Sequence, residues 1–432
     1  MPAATRRPRT TLPVERFTLA NGLRVVLQPD RTAPAVCVAV YYDVGFRSEP
    51  KGRTGFAHLF EHLMFEGSVS LEKLQHAKLV QGNGGVMNGS TNTDYTNYFE
   101  VLPSNALELG LFLESDRMLR PRLTEETLQN QIEVVKEEIR VNVLNRPYGG
   151  WQFTLPEVMF KGFNNSHNGY GSFVDLESAT VADAEDFFQR YYAPANAVLA
   201  VTGDLDVVKT TALIERHFGD ITARPKPPMA DTAEALPTKE RRRTVTDAMA
   251  PSPMVAMGYR VPDPLARFDE YMAMAVLCEV LTDGEAGRLT QRLVKKDRTA
   301  IQMGGFLGPF GDPFEARDPT MLQIVAFYPG GEPDPLLDAI DSEIEAVAEG
   351  ISEDEVRSVG TRMAARYLGS IDSIMQRGLT VAVLEQQRGR GELVNEIPAA
   401  FMDVSAEAVA KVAAEWTRPK YRAVLDTRPA AS

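Results

Sequence analysis

Two similar α+β halves of about 200 residues each are the architecture the sequence predicts, and three observations predict it. The chain, at 432 residues, is too long for one ordinary domain. Strand-like and helix-like patterns alternate along it. After a linker-like stretch, the order of those patterns repeats.

In chain order, Glu15 to Ala20 and Leu23 to Leu27 read as strands, with Asn21-Gly22 as the turn between them. Asn-Gly flanked by alternating apolar residues is a strong hairpin signal. Ala35 to Tyr42 is an apolar run of the buried-strand type, followed by a Gly/Pro-rich loop to Gly55. A helix is expected over 56–66 and a second over 71–81, broken by Gly82-Asn-Gly-Gly85. From Val86 to Val101, polar residues alternate with apolar or aromatic ones, as in a hairpin. Helical periodicity then covers 104–119 and 124–144, and 180–218 reads as helix, strand, helix. Residues 224–243 shift to Pro, Ala and charge, which is a linker signal. Beyond them Met254 to Tyr259 is a strand like 35–42, and a helix at 268–281 stands where 56–66 stood. Ala406 to Trp416 is helical, and Pro419 to Leu425 resembles Pro194 to Ala200.

With 44% hydrophobic and 24% charged residues the composition is that of a soluble globular protein. The formal charge of −13 argues against a nucleic-acid surface. Cys37 and Cys278 lie far apart in apolar runs and read as buried free thiols. The basic start, with Arg6-Arg7, leads into no apolar segment, and no run approaches a membrane span. A cytoplasmic location is expected.

The chemistry is carried by His58, Glu61 and His62, an H-x-x-E-H cluster on the first predicted helix of the first half. Residues four apart share a helix face, with about 5–6 Å between Cβ atoms, so both imidazoles can converge on one metal. Glu61 lies within reach of a water at that metal. Catalytic zinc sites keep three protein ligands and leave the fourth position open. The cluster is the H-E-x-x-H protease pattern in reverse order, which points to metal-assisted peptide hydrolysis. A structural histidine pair is the competing reading. The third ligand can be a carboxylate, and the helix 124–144 offers Glu133, Glu137 and Glu138; spacing alone does not choose among them. The predicted division is therefore a disordered tail (1–14), a zinc-bearing half (15–223), a linker (224–243) and a second half without the metal motif (244–427).

Nearly the whole chain resembles the family that contains pitrilysin, insulin-degrading enzyme and the mitochondrial processing peptidase. The resemblance is carried by Leu19 to Leu27, the inverted motif with Phe65-Glu66-Gly67, and Gly84 to Asn88. It continues through Asn130 to Arg140, Tyr192 to Leu199 and Gly203-Asp204. It implies two homologous halves, each a mainly antiparallel sheet packed against helices. It also implies one Zn2+ per chain held by His58, His62 and Glu138, since the family's third ligand ends a Val-Val-Lys-x-Glu run. Glu137 then becomes a solvent-facing neighbour. Glu61 becomes the base that takes a proton from water and delivers it to the leaving amine. Gln131 stands where the family has a supporting acid and is left to hydrogen-bond a ligand. Asn88 and Gly89 fall on the family's substrate-binding edge strand, which adds an extended peptide through main-chain hydrogen bonds.

The chain departs from the family in its second half. Relatives there carry an Arg and a Tyr, seven apart, that bind substrate and help stabilise the oxyanion; here those places hold Val294 and Ile301. Arg292 and Arg298 are nearby, but only a register shift would recruit them. The expectation is the zinc subunit of a heterodimer whose partner supplies the Arg/Tyr pair, enclosing a chamber for short or unfolded peptides. A self-sufficient homodimeric peptidase and a non-catalytic structural or peptide-binding subunit are the alternatives. A housekeeping oligopeptidase and a dedicated precursor processor fit the sequence equally.

Overall fold

A computed structural model describes residues 11–430, so the expected tail over 1–10 lies outside the described residues. The strands of the first half are β1 (Glu15–Thr18), β2 (Arg24–Pro29), β3 (Ala35–Tyr42), β4 (Val86–Thr91), β5 (Thr96–Pro103) and β6 (Ala197–Gly203). Its helices begin with α1 (Phe56–Leu63), α2 (Gln75–Gly82), α3 (Leu107–Leu119), α4 (Glu125–Ile139) and α5 (Trp151–Met159). They continue with α6 (Phe163–Ser166), α7 (Phe173–Glu177), α8 (Val181–Tyr191) and α9 (Val207–Phe218). The second half has strands β7 (Arg241–Asp247), β8 (Met254–Arg260), β9 (Gln302–Leu307), β10 (Met321–Phe327) and β11 (Arg422–Pro429). Its helices are α10 (Phe268–Thr282), α11 (Asp334–Glu349), α12 (Glu353–Ser370), α13 (Ile374–Arg388), α14 (Ile397–Met402) and α15 (Ala406–Trp416).

The first sheet runs β1-β2-β6-β3-β5-β4 and the second β7-β11-β8-β10-β9. With β1 set aside, the two orders are the same path. Each has one parallel pair, β2 with β6 and β7 with β11, and is otherwise antiparallel. The repeat expected from element order is thus a repeat of topology. Even Pro194–Asn196 and Pro419–Tyr421 form matching 3₁₀ turns before their strands.

Successive strand residues point to opposite faces, and in β3 both faces are buried. Val36, Val38, Val40 and Tyr42 join the core under the first half's own helices. Cys37, Ala39 and Tyr41 join the core of the second half. The halves are joined by exchanged helices: α13 lies on β2, β3 and β6, while α5 lies on β7, β8 and β11. Gly378 of α13 sits so close to β3 that a Cβ there would come 2.7 Å from the Cys37 sulfur. No helix among the described residues is long and apolar enough to cross a membrane.

Several boundaries differ from expectation for local reasons. α1 ends at Leu63 rather than 66, and α2 begins only at Gln75, after Leu74 adopts a left-handed φ of 66°. α4 stops at Ile139, and Arg140–Leu144 continues as a π-turn. Residues 241–243 belong to β7 rather than to a linker, because their backbone pairs with β11. The preceding stretch is tied down as well, since Glu234 accepts hydrogen bonds from the backbone of Lys161 and Gly162 (2.8 and 2.9 Å). Near the start, the Leu12 amide donates to Asn395 (2.8 Å), so the expected tail does not reach residue 14.

Gly378→Ala is expected to destabilise the protein by about 1–3 kcal/mol, as overpacking of a tight core contact does. A lower Tm by calorimetry with unchanged far-UV circular dichroism is the expected result; an unchanged Tm would show that the helix–sheet contact can relax.

Candidate metal centre

α1 is short and mostly buried, with Phe56, Ala57, Leu59, Phe60 and Leu63 in the core. That packing leaves one stripe, residues 58, 61 and 62, to face α4 and β4. α4 is amphipathic and starts at a capping box on Thr124 and Thr127. Its Leu128, Ile132, Val135 and Ile139 are buried, which sets the rotation of the helix. Of the three glutamates left open by spacing, Glu133 pairs with Lys136 and Glu137 with Arg140, both with well-exposed side chains. Glu138 turns to the histidines.

His58 Nε2 and His62 Nε2 lie 3.3 Å apart. Glu138 places one oxygen 3.7 Å from His58 Nε2 and the other 3.3 Å from His62 Nε2. A tetrahedral zinc with nitrogens at about 2.0–2.1 Å sets its ligand atoms roughly 3.4 Å apart. Two imidazole nitrogens, with a carboxylate that turns one oxygen toward each, fit such an ion.

Around this triad, Thr91 at the end of β4 donates to Glu61 (2.6 Å). Tyr170 donates to Glu138 (3.3 Å), and its ring meets that of His58 edge-on at 5.0 Å. Gln131 donates to Glu66 (2.8 Å), itself paired with Lys73 at 2.7 Å, and its amide also favours the charged form of His62. The Gln131 hydrogen bond thus goes to Glu66 rather than to a ligand side chain. Asn88 and Gly89 lie on β4, which ends the sheet order and has no strand on its far edge among the described residues. The space beside Gly89 is tight: a Cβ would come 3.0 Å from the Asn97 carbonyl and 3.2 Å from the Phe65 ring. Thr91 and Tyr170 were not found from sequence.

In the second half, Val294 packs against the core and Ile301 is exposed. Arg292 pairs with Glu343 (2.9 Å) and Asp297 (3.3 Å).

Electrostatics follow the packing. Burial and the neighbouring His62 push His58 down to about 4. Burial also opposes a charge on His62, but the Glu138 hydrogen bond and the Glu61 and Glu138 carboxylates outweigh it and raise its pKa. Burial raises Glu61 against the Thr91 hydrogen bond. The His62 hydrogen bond holds Glu138 below the usual carboxylate range. One other group among the described residues could hold a metal: His76, Glu100 and Glu114, all buried. There the Arg117 guanidinium already lies against both carboxylates and supplies the positive charge.

Residues 24–148 match the description Insulinase (Peptidase family M16), and residues 178–362 match Peptidase M16 inactive domain. The chain belongs to peptidase family M16. Among its relatives is the zinc protease PqqE of Helicobacter pylori, 28% identical over 429 residues that cover 96% of this chain and 93% of that protein. The crystal structure of a protease from Helicobacter pylori superposes with a TM-score of 0.89 at 26% identity, covering 97% of this chain and 100% of that one. The periplasmic protease PqqL from Escherichia coli superposes at 0.76 and 18% identity over 96% of this chain, which spans 48% of PqqL and shares its fold.

Zinc binding should be proton-linked. Imidazole must be neutral to bind metal. His62, raised above its ordinary value, is protonated in mild acid, whereas His58 stays neutral down to about 4. Apparent affinity is therefore expected to fall about tenfold per pH unit below the His62 pKa, with one proton displaced, and to steepen below the His58 value. Chelator-competition titrations across this range check it; a two-proton slope from the outset would contradict it.

Proposed function

We propose that the chain is a zinc-dependent endopeptidase subunit acting on short or unfolded peptides. The observation that carries this reading is the convergence of His58, His62 and Glu138 at 3.3–3.7 Å, with the Thr91-held carboxylate of Glu61 on the same helix face. Zinc bound there supplies Lewis-acid activation of water and of the scissile carbonyl. Glu61, with one oxygen fixed by Thr91, is placed to take a proton from water and return it to the leaving amine. Tyr170 orients Glu138, and the open edge of β4 offers main-chain groups to an extended peptide.

A second, related subunit completes the site in this reading. No Arg/Tyr pair occupies positions 294 and 301, and a missing oxyanion donor of that kind typically costs about 10²–10³ in rate. That this chain spans about half of PqqL supports an assembly of two such units. The non-catalytic alternative draws on the match to an inactive domain, yet that match, at 178–362, contains none of the four site residues.

Cleavage of a quenched, unstructured peptide library by the zinc-loaded chain is the test. Glu61→Gln is expected to lose about 10²–10⁴ in kcat while keeping one bound zinc, as loss of a general base does. Wild-type activity that is low alone and restored by a family partner bearing the Arg/Tyr pair is the expected pattern. Full activity alone would favour the homodimer, and inactivity under all conditions with zinc bound would favour the non-catalytic subunit.

A further inference from the structure

α1 begins without a side-chain cap: Gly55 stands at its N-terminus in a left-handed φ of 81° and offers no acceptor. The first N–H groups of a helix need partners from outside it. Two of them find one in Glu49, a residue 2% exposed in the preceding loop. Its Oε2 accepts from the Gly55 amide (3.0 Å) and its Oε1 from the Ala57 amide (2.8 Å), one residue before His58. An anionic group here is also favoured by the helix dipole.

Glu49 is held in turn by His167, whose Nε2 lies 2.9 Å from Oε2. The other ring nitrogen, Nδ1, lies 2.9 Å from the Phe163 carbonyl, and the ring stacks on Phe163 at 4.5 Å. A carbonyl only accepts, so Nδ1 carries a proton. The Nε2–Oε2 contact is then closed by one proton shared between ring and carboxyl, burial pushing the Glu49 carboxyl up against its hydrogen bonds to His167 and to the Ala57 and Gly55 amides. Burial opposes the His167 charge, but the Glu49 hydrogen bond and charge outweigh it and raise the pKa.

The segment that carries His167 also carries Tyr170, the partner of Glu138. Its backbone touches the helix start, since a Cβ on Gly55 would come 2.3 Å from the Tyr170 carbonyl. One segment thus contacts the helix bearing two ligands and the side chain of the third.

We infer that Glu49 and His167 are positioning residues, which fix the start of α1 and so the register of His58 and His62 against Glu138. This rests on the zinc-peptidase reading above. A role in fold stability alone is the competing account, and zinc affinity separates the two.

The experiment measures zinc Kd by chelator competition, and apo Tm, on the full chain for wild type, Glu49→Gln, Glu49→Ala, His167→Ala and His167→Gln. Ser405→Ala, which removes the N-cap of α15 in the second half, is the stability control. Glu49→Ala and His167→Ala are expected to weaken zinc binding about 10–100-fold, the range typical of groups behind metal ligands. Glu49→Gln, keeping one acceptor and the volume, should fall between. His167→Gln should recover most of the loss, because its amide N–H reaches where Nε2 stood. Ser405→Ala should lower Tm with zinc Kd unchanged. Variants that lose Tm but keep zinc Kd within about twofold of wild type would overturn the inference. Should Glu49→Ala not fold, the Gln variants decide. Absence of zinc binding by the wild type would instead sink the peptidase reading itself, and this inference with it.

Discussion

Three lone-pair donors facing one another across 3.3–3.7 Å are the constraint on which this molecule turns. Two neutral imidazole nitrogens and a carboxylate oxygen repel at that distance unless a proton or a cation stands between them. The Glu138 hydrogen bond and the Glu61 and Glu138 carboxylates accordingly raise the pKa of His62 against its burial. Holding such an arrangement requires a rigid surround. It is supplied by a short buried helix, an amphipathic second helix, and the hydrogen bonds that Tyr170 and Thr91 bring from two other segments.

The rigidity has a larger source. Because α13 covers the first sheet and α5 the second, each half supplies part of the other's core. β3 is then buried on both faces, and the strands beside it give β4 a firm neighbour while its outer edge stays open. A free sheet edge is a template for another strand, and here it ends at Thr91, against Glu61. The architecture thus brings an accepting edge and a candidate reaction centre together, whereas the second half repeats the topology without the site residues.

Much of this was legible in the sequence because the signals are local. The H-x-x-E-H spacing places two imidazoles on one helix face, Asn21-Gly22 marks a turn, and the unbroken apolar run of β3 marks a strand buried on both sides. The choice of Glu138 over Glu133 and Glu137 came from family resemblance, and the structure shows its physical basis in the rotation that Ile132, Val135 and Ile139 impose on α4. What escaped is non-local. Nothing in the sequence links Thr91 to Glu61, Tyr170 to Glu138 or Glu49 to His167, since these contacts exist only once the chain is folded. Arg241–Arg243 read as linker because charge dominates them, yet an edge strand exposes much of itself and tolerates charge. The π-turn after Ile139 was equally hidden, because apolar spacing does not reveal a change in backbone hydrogen bonding.

The central claim is that these three side chains form one zinc site, and X-ray absorption at the zinc edge of the purified chain tests it most directly. The account predicts one zinc per chain, four-coordinate, with nitrogen and oxygen neighbours at about 2.0–2.2 Å and an imidazole scattering pattern from two rings. Cys37 is buried against Gly378 of α13 and Cys278 beside Thr282 in α10, so no sulfur shell at about 2.3 Å is expected. A spectrum with sulfur ligands, with six oxygens and no imidazole, or no retained zinc would contradict the account.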